Sequence, residues 1–196
     1  MNRIRLTAIT ALFALAAIAM PPPSAAQAKI ALGTAKDPNL AGQIAVAAAK
    51  GYFREAGVDV DVKYFPSGGD LMTAVVGGSV GIGSSGATPV TTLRSRPYPI
   101  KIVAQIADIS GAQQIIVKES LNSMNELYGK KIAIMRGTGS EALFNSFVKA
   151  YGFDASKVEL VNMAPAEMVA SFARGSVDAI SVWEPNTTRA RMASNG

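Results

Sequence analysis

The pattern of apolar and polar residues in the first half of the chain predicts strands that alternate with helices. Residues 58–65 (VDVDVKYF) alternate strictly between apolar and polar, which is typical of a strand with one solvent-facing side. Short apolar runs bounded by Pro, Gly, Asn or Asp predict further strands, and the stretches between them have helical composition. The predicted strands cover residues 29–36, 58–65, 80–84 and 100–106, and the predicted helices cover residues 42–57, 71–76 and 87–96.

The same order of elements restarts in the second half. The predicted strands there cover residues 113–118, 131–135, 158–162 and 179–182, and the predicted helices cover residues 123–128, 141–151 and 166–174. Strands that alternate with helices favour parallel sheets flanked by helices, so the fold class is predicted to be α/β.

A Gly-Ser-Val tripeptide occurs once in each half. It opens GSVGIGSSGATP at Gly78 and GSVDAISVWEP at Gly175, and in both places a short helical pattern precedes it. The tripeptide alone indicates only a tight corner. The matching order of elements around both copies predicts the same helix-to-strand corner in two similar lobes, with a cleft between them.

The composition narrows the chemistry that the chain can support. Apolar residues make up 49% of the 196 residues, which is enough for a packed core. Cysteine and histidine are both absent, which excludes disulfides, Cys-rich zinc sites, Cys nucleophiles and His-based triads. A Ser-Lys or carboxylate mechanism stays open. The net charge of +5 is scattered without a basic cluster, so we expect no nucleic-acid partner.

The N-terminus has the order of a secretory signal peptide. Arg3 and Arg5 precede an uncharged apolar stretch at residues 6–20, and Ala26-Gln27-Ala28 fits a small-x-small cleavage site. A membrane anchor is the alternative, but residues 6–20 fall short of the about 20 residues that span a bilayer. We therefore expect cleavage after Ala28 and export of the mature protein.

Polar turns follow four of the predicted strands. In open α/β sheets, ligands bind beyond the carboxyl ends of the strands. The turn at Gly137-Thr138-Gly139-Ser140 is the sharpest candidate, because its glycines admit close backbone approach and the helix that follows presents N–H groups suited to an anion. Ser140 is equally predicted as an ordinary helix cap, as is Asp70 for the helix at residues 71–76. The four turns are residues 37–39, 67–69, 84–88 and 138–140.

Trp183 is the single tryptophan of the chain and ends a predicted strand. A core position is the default for tryptophan. Because Glu184 and a proline turn follow directly, a position in a cleft wall is the competing interpretation.

Three long stretches resemble a known family. They are GYFREAGVDVDVKYFPSGGDLMTAVVGGSVGIGSSGATP, ELYGKKIAIMRGTGSEALFNSFVKAYGFDASKVELV and FARGSVDAISVWEP. In their order and spacing they are similar to substrate-binding proteins of bacterial ABC importers for nitrate, taurine and alkanesulfonates, a group that includes thiamine-precursor binders. The resemblance implies a type II periplasmic binding protein, in which each of two lobes is a mostly parallel sheet flanked by helices.

The resemblance also implies domain bounds, partners and a binding site. Residues 1–28 would be the signal peptide, 29–107 an incomplete first lobe, 108–185 the second lobe and 186–196 the start of a truncated continuation. The partners would be a small anionic or polar organic solute and an inner-membrane ABC permease. The full-length protein would be a monomer without a cofactor, a metal or catalytic residues. The implied ligand contacts are Asn39, Ser67, Ser84, Ser85, Gln113, Thr138, Gly139, Ser140, Trp183 and Glu184.

This chain departs from the sulfonate-type members at two positions. Their turn matching residues 138–140 is richer in serine, and an aromatic often follows the Trp-acid-Pro motif, whereas this chain has Gly139 and Asn186. The rival interpretations are a pyrimidine or thiamine-precursor binder, a related enzyme and a non-catalytic sensor domain. The related enzymes are implied to use active-site histidines, and Lys131 is poorly placed for a Ser-Lys hydrolase.

Overall fold

The computed structural model describes residues 28–194, so nearly all of the predicted signal peptide lies outside the described residues. The strands are β1 Ile30–Ala35, β2 Val60–Phe65, β3 Ile82–Ser84, β4 Gln113–Val117, β5 Lys131–Ile134, β6 Glu159–Asn162 and β7 Ala179–Trp183. The helices are α1 Pro38–Lys50, α2 Tyr52–Glu55, α3 Gly68–Val76, α4 Ala87–Arg94, α5 Gly139–Tyr151, α6 Pro165–Ala173 and α7 Asn186–Ala193.

The first sheet has three parallel strands in the order β2-β1-β3. Its centre, β1, pairs Ala35 with Phe65 on one side and Thr34 with Ser84 on the other. Helices α3 and α4 pack onto the sheet through a buried apolar cluster. The cluster consists of Leu71, Met72, Val80 and Leu93.

The second sheet has the order β4-β7-β5-β6. Three of its strands run parallel in the order β6-β5-β7, which repeats the β2-β1-β3 order of the first sheet. Strand β4 runs antiparallel to β7, with Gln113 opposite Trp183. The predicted α/β fold with two mostly parallel sheets is confirmed, and each sheet with its flanking helices forms one lobe.

The two Gly-Ser-Val corners have the same backbone geometry. Gly78 and Gly175 adopt φ angles of 73° and 74°, a region in which glycine avoids the steric cost of a Cβ. The following serine N–H then donates to a carbonyl five residues back in each case, at 3.1 Å for Ser79 and 2.8 Å for Ser176. These hydrogen bonds terminate α3 and α6, and the chain then turns toward β3 and β7. The predicted repeated corner is confirmed.

The second lobe carries a well-packed core on both faces of its sheet. Ile132, Ile134 and Phe144 are buried between the sheet and α5, where the ring of Tyr128 stacks on that of Phe153 at 4.9 Å. On the other face, buried residues of α6 and α7 cover β5 and β7. Residues 186–193, predicted only as the start of a continuation, form helix α7, whose Ala190 is fully buried.

An ion pair lies at the end of the second sheet where β5 and β7 begin. The Lys118 Nζ lies 2.6 Å from Oδ1 of Asp178, whose Oδ2 accepts from the N–H of Lys131 at 3.0 Å. Burial raises the pKa of Asp178, but the hydrogen bonds from Lys118 and Lys131 outweigh it and leave the pKa below its usual range.

The prediction of a strand at residues 100–106 is wrong. This stretch has no regular secondary structure, and Ile102 and Val103 are 66% and 85% exposed. A strand needs a neighbour to accept its ladder of backbone hydrogen bonds. No strand within residues 28–194 pairs with this stretch.

The helix predicted at residues 42–57 begins four residues earlier and is divided. Helix α1 starts at Pro38, because the Asp37 side chain caps it and proline is favoured in the first turn. It ends at Lys50, because the following Gly51 has a φ of 80°, and the short α2 comes next. The stretch predicted as a helix at residues 123–128 is a 3₁₀ turn at Met124–Leu127. None of the helices within residues 28–194 has the length and apolarity to cross a membrane.

Candidate ligand-binding site

The strand order gathers the predicted polar turns at the carboxyl edges of the two sheets. In the first sheet, β1, β2 and β3 are parallel, so residues 37–39, 67–69 and 84–88 follow at one edge. In the second sheet, β5 and β7 end together, and antiparallel β4 places Gln113 beside Trp183. Helix α4 of the first lobe contacts helix α5 of the second.

Thr138, not Ser140, is the cap of helix α5. Its Oγ1 accepts from the Ser140 N–H at 3.3 Å and donates to the Met135 carbonyl at 2.7 Å. The Glu141 carboxylate reaches back and accepts from the Gly137 N–H at 2.8 Å. The prediction of Ser140 as cap was wrong, because Thr138 precedes the helix and its side chain reaches the second helical N–H.

Ser140 is a buried structural residue, with 1% of its surface exposed. Its Oγ accepts from the Met135 N–H at 2.8 Å and donates to the Ser181 carbonyl at 2.5 Å. Ser181 Oγ donates in return to the Ser140 carbonyl at 2.7 Å. The hydroxyl protons of Thr138 and Ser140 are therefore both donated inside the protein.

The backbone at the start of α5 keeps free donors. No described residue accepts a hydrogen bond from the N–H groups of Gly139 and Glu141. The Gln113 side chain lies directly over Gly139, where an added Cβ would meet its Oε1 and lie 3.2 Å from its Cδ. Glycine at position 139 thus leaves room for the Gln113 amide, which has no hydrogen-bond partner within residues 28–194.

On the first sheet, Ser85 has the unpaired hydroxyl. Its Oγ is buried without a hydrogen-bond partner in the described part of the chain, and it lies 2.5 Å from where a Cβ of Gly68 would be. Ser84 Oγ, in contrast, donates to the Leu40 carbonyl at 3.0 Å.

Ser67 is the cap of helix α3. Its Oγ accepts from the Asp70 N–H at 3.2 Å and donates to the Asp70 carboxylate at 2.7 Å. The prediction that Asp70 caps this helix was therefore wrong. The helix begins at Gly68, which makes Asp70 a residue of its first turn.

Two side-chain contacts connect the lobes at these edges. The Asn39 Nδ2 donates to the Glu184 carbonyl at 2.7 Å, and the Trp183 Nε1 donates to Oδ2 of Asp37. Trp183 is half-buried and contacts the first lobe, which favours a position between the lobes over a core position. The sequence analysis placed Asp37 in the polar turn at residues 37–39 but missed its contact with Trp183 and its role as the helix cap, although an acidic residue directly before a proline at a helix start is a known cap signal.

The Glu184 side chain turns away from the cleft toward α7. Its carboxylate accepts from the N–H of Thr188 at 3.2 Å and from the Thr188 hydroxyl at 3.0 Å. The hydroxyl of Thr187 beside it is the largest cause that lowers the pKa of Glu184, and the Thr188 N–H adds to that lowering. The Glu184–Pro185 peptide bond is cis. Of Glu184, only the backbone carbonyl is directed at the other lobe.

Two surface grooves lie in the described part of the chain. One, of about 670 Å³, is lined by residues between Ala48 and Val60 and lies away from the candidate site. The other, of about 550 Å³, lies between β4 and α5 and includes Gln113 in its lining. Neither is lined by the polar turns at the carboxyl ends of the strands. Within residues 28–194, no group of three or more acidic side chains could hold a metal ion.

Known structures share this fold. The chain superposes on the alkanesulfonate-binding protein from Xanthomonas axonopodis pv. citri, solved bound to MOPS, with a TM-score of 0.68 and 23% identity over 81% of this chain and 55% of that one. The periplasmic aliphatic sulphonate binding protein from Escherichia coli gives a TM-score of 0.63 at 22% identity, covering 84% of this chain and 57% of that one. The fold is that of a type II periplasmic binding protein.

Sequence comparison gives the family. The family model described as NMT1/THI5 like matches residues 37–196, and the chain belongs to this family. The taurine-binding periplasmic protein of Escherichia coli (strain K12) is 29% identical over 134 residues, which are 68% of this chain and 42% of that protein. The resemblance stated from the sequence is confirmed. The chain spans about half the length, or less, of these relatives.

Proposed function

We propose that this protein is the solute-binding component of an ABC import system. It binds a small anion of the sulfonate class between its lobes in the periplasm and passes it to a permease in the inner membrane. It works by binding and release, without chemistry on the solute and without a cofactor. Relatives named for taurine and alkanesulfonates support this assignment.

The start of helix α5 carries the proposal. The free N–H groups of Gly139 and Glu141 lie at the positive end of the helix dipole, which favours an anion by about 0.3–1 kcal/mol at exposed sites and more when partly buried. The unpaired Gln113 amide stands beside them, and the unpaired Ser85 hydroxyl lies at the edge of the other sheet. The two backbone N–H groups, the Ser85 hydroxyl and the Nε2 of Gln113, whose Oε1 is its atom nearest Gly139, are neutral donors that suit an anion that stays ionised, such as a sulfonate.

The ligand contacts implied by the family resemblance divide into residues that we propose touch the solute and residues that we propose support the site. Gly139, Gln113 and Ser85 contact the solute, and Trp183 forms the cleft wall. The side chains of Ser67, Ser84, Thr138, Ser140, Asn39 and Glu184 act indirectly, because their hydrogen bonds hold the turns and the lobes in place.

The proposed architecture is a first lobe at residues 29–107 and a second lobe at residues 108–185, onto whose sheet helix α7 packs. The lobes close on the solute by hinge motion, and the protein works as a monomer.

A thermal-shift panel tests the function. At a concentration of 100 times the Kd, a ligand stabilises by about 2.7 kcal/mol, which raises the Tm by about 5–11 °C for a chain of this size. We expect taurine and ethanesulfonate to raise the Tm. Ethylamine is the matched control, since it keeps the short carbon chain of taurine and lacks the sulfonate. The proposal is contradicted if only an aminopyrimidine raises the Tm, or if none of the tested anions raises it.

A further inference from the structure

We propose that Asp37 is a positioning residue, whose carboxylate fixes the indole of Trp183 and thereby ties helix α1 of the first lobe to strand β7 of the second. The effect of this contact on solute binding rests on the function proposed above. The contact between the Asp37 and Trp183 side chains does not rest on that function, so the contact and the solute binding can be tested separately.

The hydrogen-bond chemistry of this contact requires a carboxylate. Asp37 Oδ1 accepts from the Asn39 N–H at 2.8 Å and caps helix α1, while Oδ2 accepts from the Trp183 Nε1. Both partners are donors only. A carboxylate offers a separate acceptor oxygen to each, whereas the isosteric amide of asparagine puts an NH2 group at one of the two positions, where it faces a donor.

Both ends of the contact sit on rigid elements. Asp37 is half-buried, and its carbonyl accepts from the N–H groups of Leu40 at 3.1 Å and Ala41 at 2.7 Å in the first turn of α1. Trp183 is held in β7 by its pairing with Gln113. The bond therefore sets the orientation of the indole relative to both lobes instead of following a mobile side chain.

A second bond from the same helical turn supports the first. The Asn39 Nδ2 donates to the Glu184 carbonyl at 2.7 Å, one residue beyond Trp183. The start of α1 thus holds two consecutive residues of the second lobe. Because Trp183 pairs with Gln113, and Gln113 covers Gly139, a shift of the indole would be transmitted to the anion-binding end of α5.

Intrinsic fluorescence of the full chain reports this contact directly, because Trp183 is the single tryptophan. The test uses two variants, Asp37→Asn and Asp37→Ser. Serine still caps helix α1 but is too short to reach the indole, and asparagine keeps the shape of aspartate. Asp70→Asn is the matched control, since Asp70 is another carboxylate at a first-lobe helix start and accepts from Ser67.

In both Asp37 variants we expect emission at longer wavelength and a larger acrylamide quenching constant, with far-ultraviolet circular dichroism unchanged. Asp70→Asn should keep the wild-type spectrum and quenching. An Asp37→Ser protein that folds and retains wild-type emission and quenching overturns the proposal. These measurements contain no solute, so their result is independent of whether a sulfonate binds.

A thermal double-mutant cycle covers the case in which the variants are destabilised. If the contact is real, Asp37→Asn should lower the Tm less in a Trp183→Phe background than in the wild type, because phenylalanine has no N–H to leave unpaired. Equal losses in both backgrounds overturn the proposal, since they assign the whole effect to the helix cap.

Discussion

Replacing Ser140 with alanine should destabilise the protein strongly, although its sequence context presents it as a candidate ligand contact. The hydroxyl is buried and joins two backbone groups, the Met135 N–H and the Ser181 carbonyl. The Ser140→Ala variant leaves both without their partner. Each buried backbone group left unpaired costs about 1–3 kcal/mol.

The expected net loss is about 2–4 kcal/mol, since alanine recovers a few tenths of a kcal/mol of helix propensity and Thr138 still caps the helix. That is a large part of the about 5–15 kcal/mol that stabilises a typical domain. For a chain of this size it corresponds to a Tm lower by about 4–16 °C.

The assay is thermal unfolding followed by circular dichroism, with Ser146→Ala as the matched control. Ser146 lies on the same helix and donates to the Ala142 carbonyl at 2.8 Å, but it is exposed. We expect the control to unfold within about 1–2 °C of the wild type, because surface changes cost about 0.5 kcal/mol or less. Equal Tm values for both variants would refute the reasoning that the Ser140 hydroxyl is committed to the fold.

Three further predictions concern other parts of the chain. Asp178→Asn should lower the Tm at about pH 7 and change it little at about pH 2. Burial raises the pKa of Asp178, but the ion pair with Lys118 outweighs it and leaves the pKa in the folded protein depressed. The stability that this carboxylate contributes is therefore present above its unfolded pKa of about 3.9 and is lost as the pH falls through its folded pKa. A pH-independent difference in Tm would argue against it. Gly78→Ala and Gly175→Ala should each cost about 1–2 kcal/mol in thermal unfolding, since both positions have positive φ, and unequal costs would count against equivalent corners. Val103→Lys should reduce the fluorescence of a dye that binds apolar surface without lowering the Tm, as this side chain is 85% exposed; undiminished dye binding would place the apolar surface elsewhere.

The features predicted well from the sequence are those set by short-range patterns. The strict alternation of residues 58–65 and the apolar KIAIM stretch correspond to β2 and β5. The two Gly-Ser-Val corners were recognised because the same tripeptide and the same order of elements occur in both halves of the chain, and both glycines have positive φ. These local elements, in their order along the chain, were sufficient to predict the α/β class.

The errors arise where the outcome depends on contacts distant in sequence. Residues 100–106 have the composition of a strand, yet a strand forms only with a pairing partner. Thr138 and Ser140 look equivalent in the sequence, and only the proximity of β7 shows that Ser140 donates to Ser181. The role of Asp37 depends on Trp183, a residue that follows it by 146 positions. Spacing along the chain carries no signal for such a pair.

The central claim is that the amino end of α5, beneath the Gln113 side chain, binds the solute. Isothermal titration calorimetry of ethanesulfonate against the full chain, Gly139→Ala and Gly111→Ala tests it most directly. A Cβ at Gly139 collides with Gln113, whereas one at Gly111 meets nothing within 4 Å. We expect wild-type affinity in Gly111→Ala and an affinity at least about tenfold weaker in Gly139→Ala, which corresponds to about 1.4 kcal/mol. Equal affinity in all three proteins would place the site elsewhere, and no binding by the wild type would contradict the proposed function.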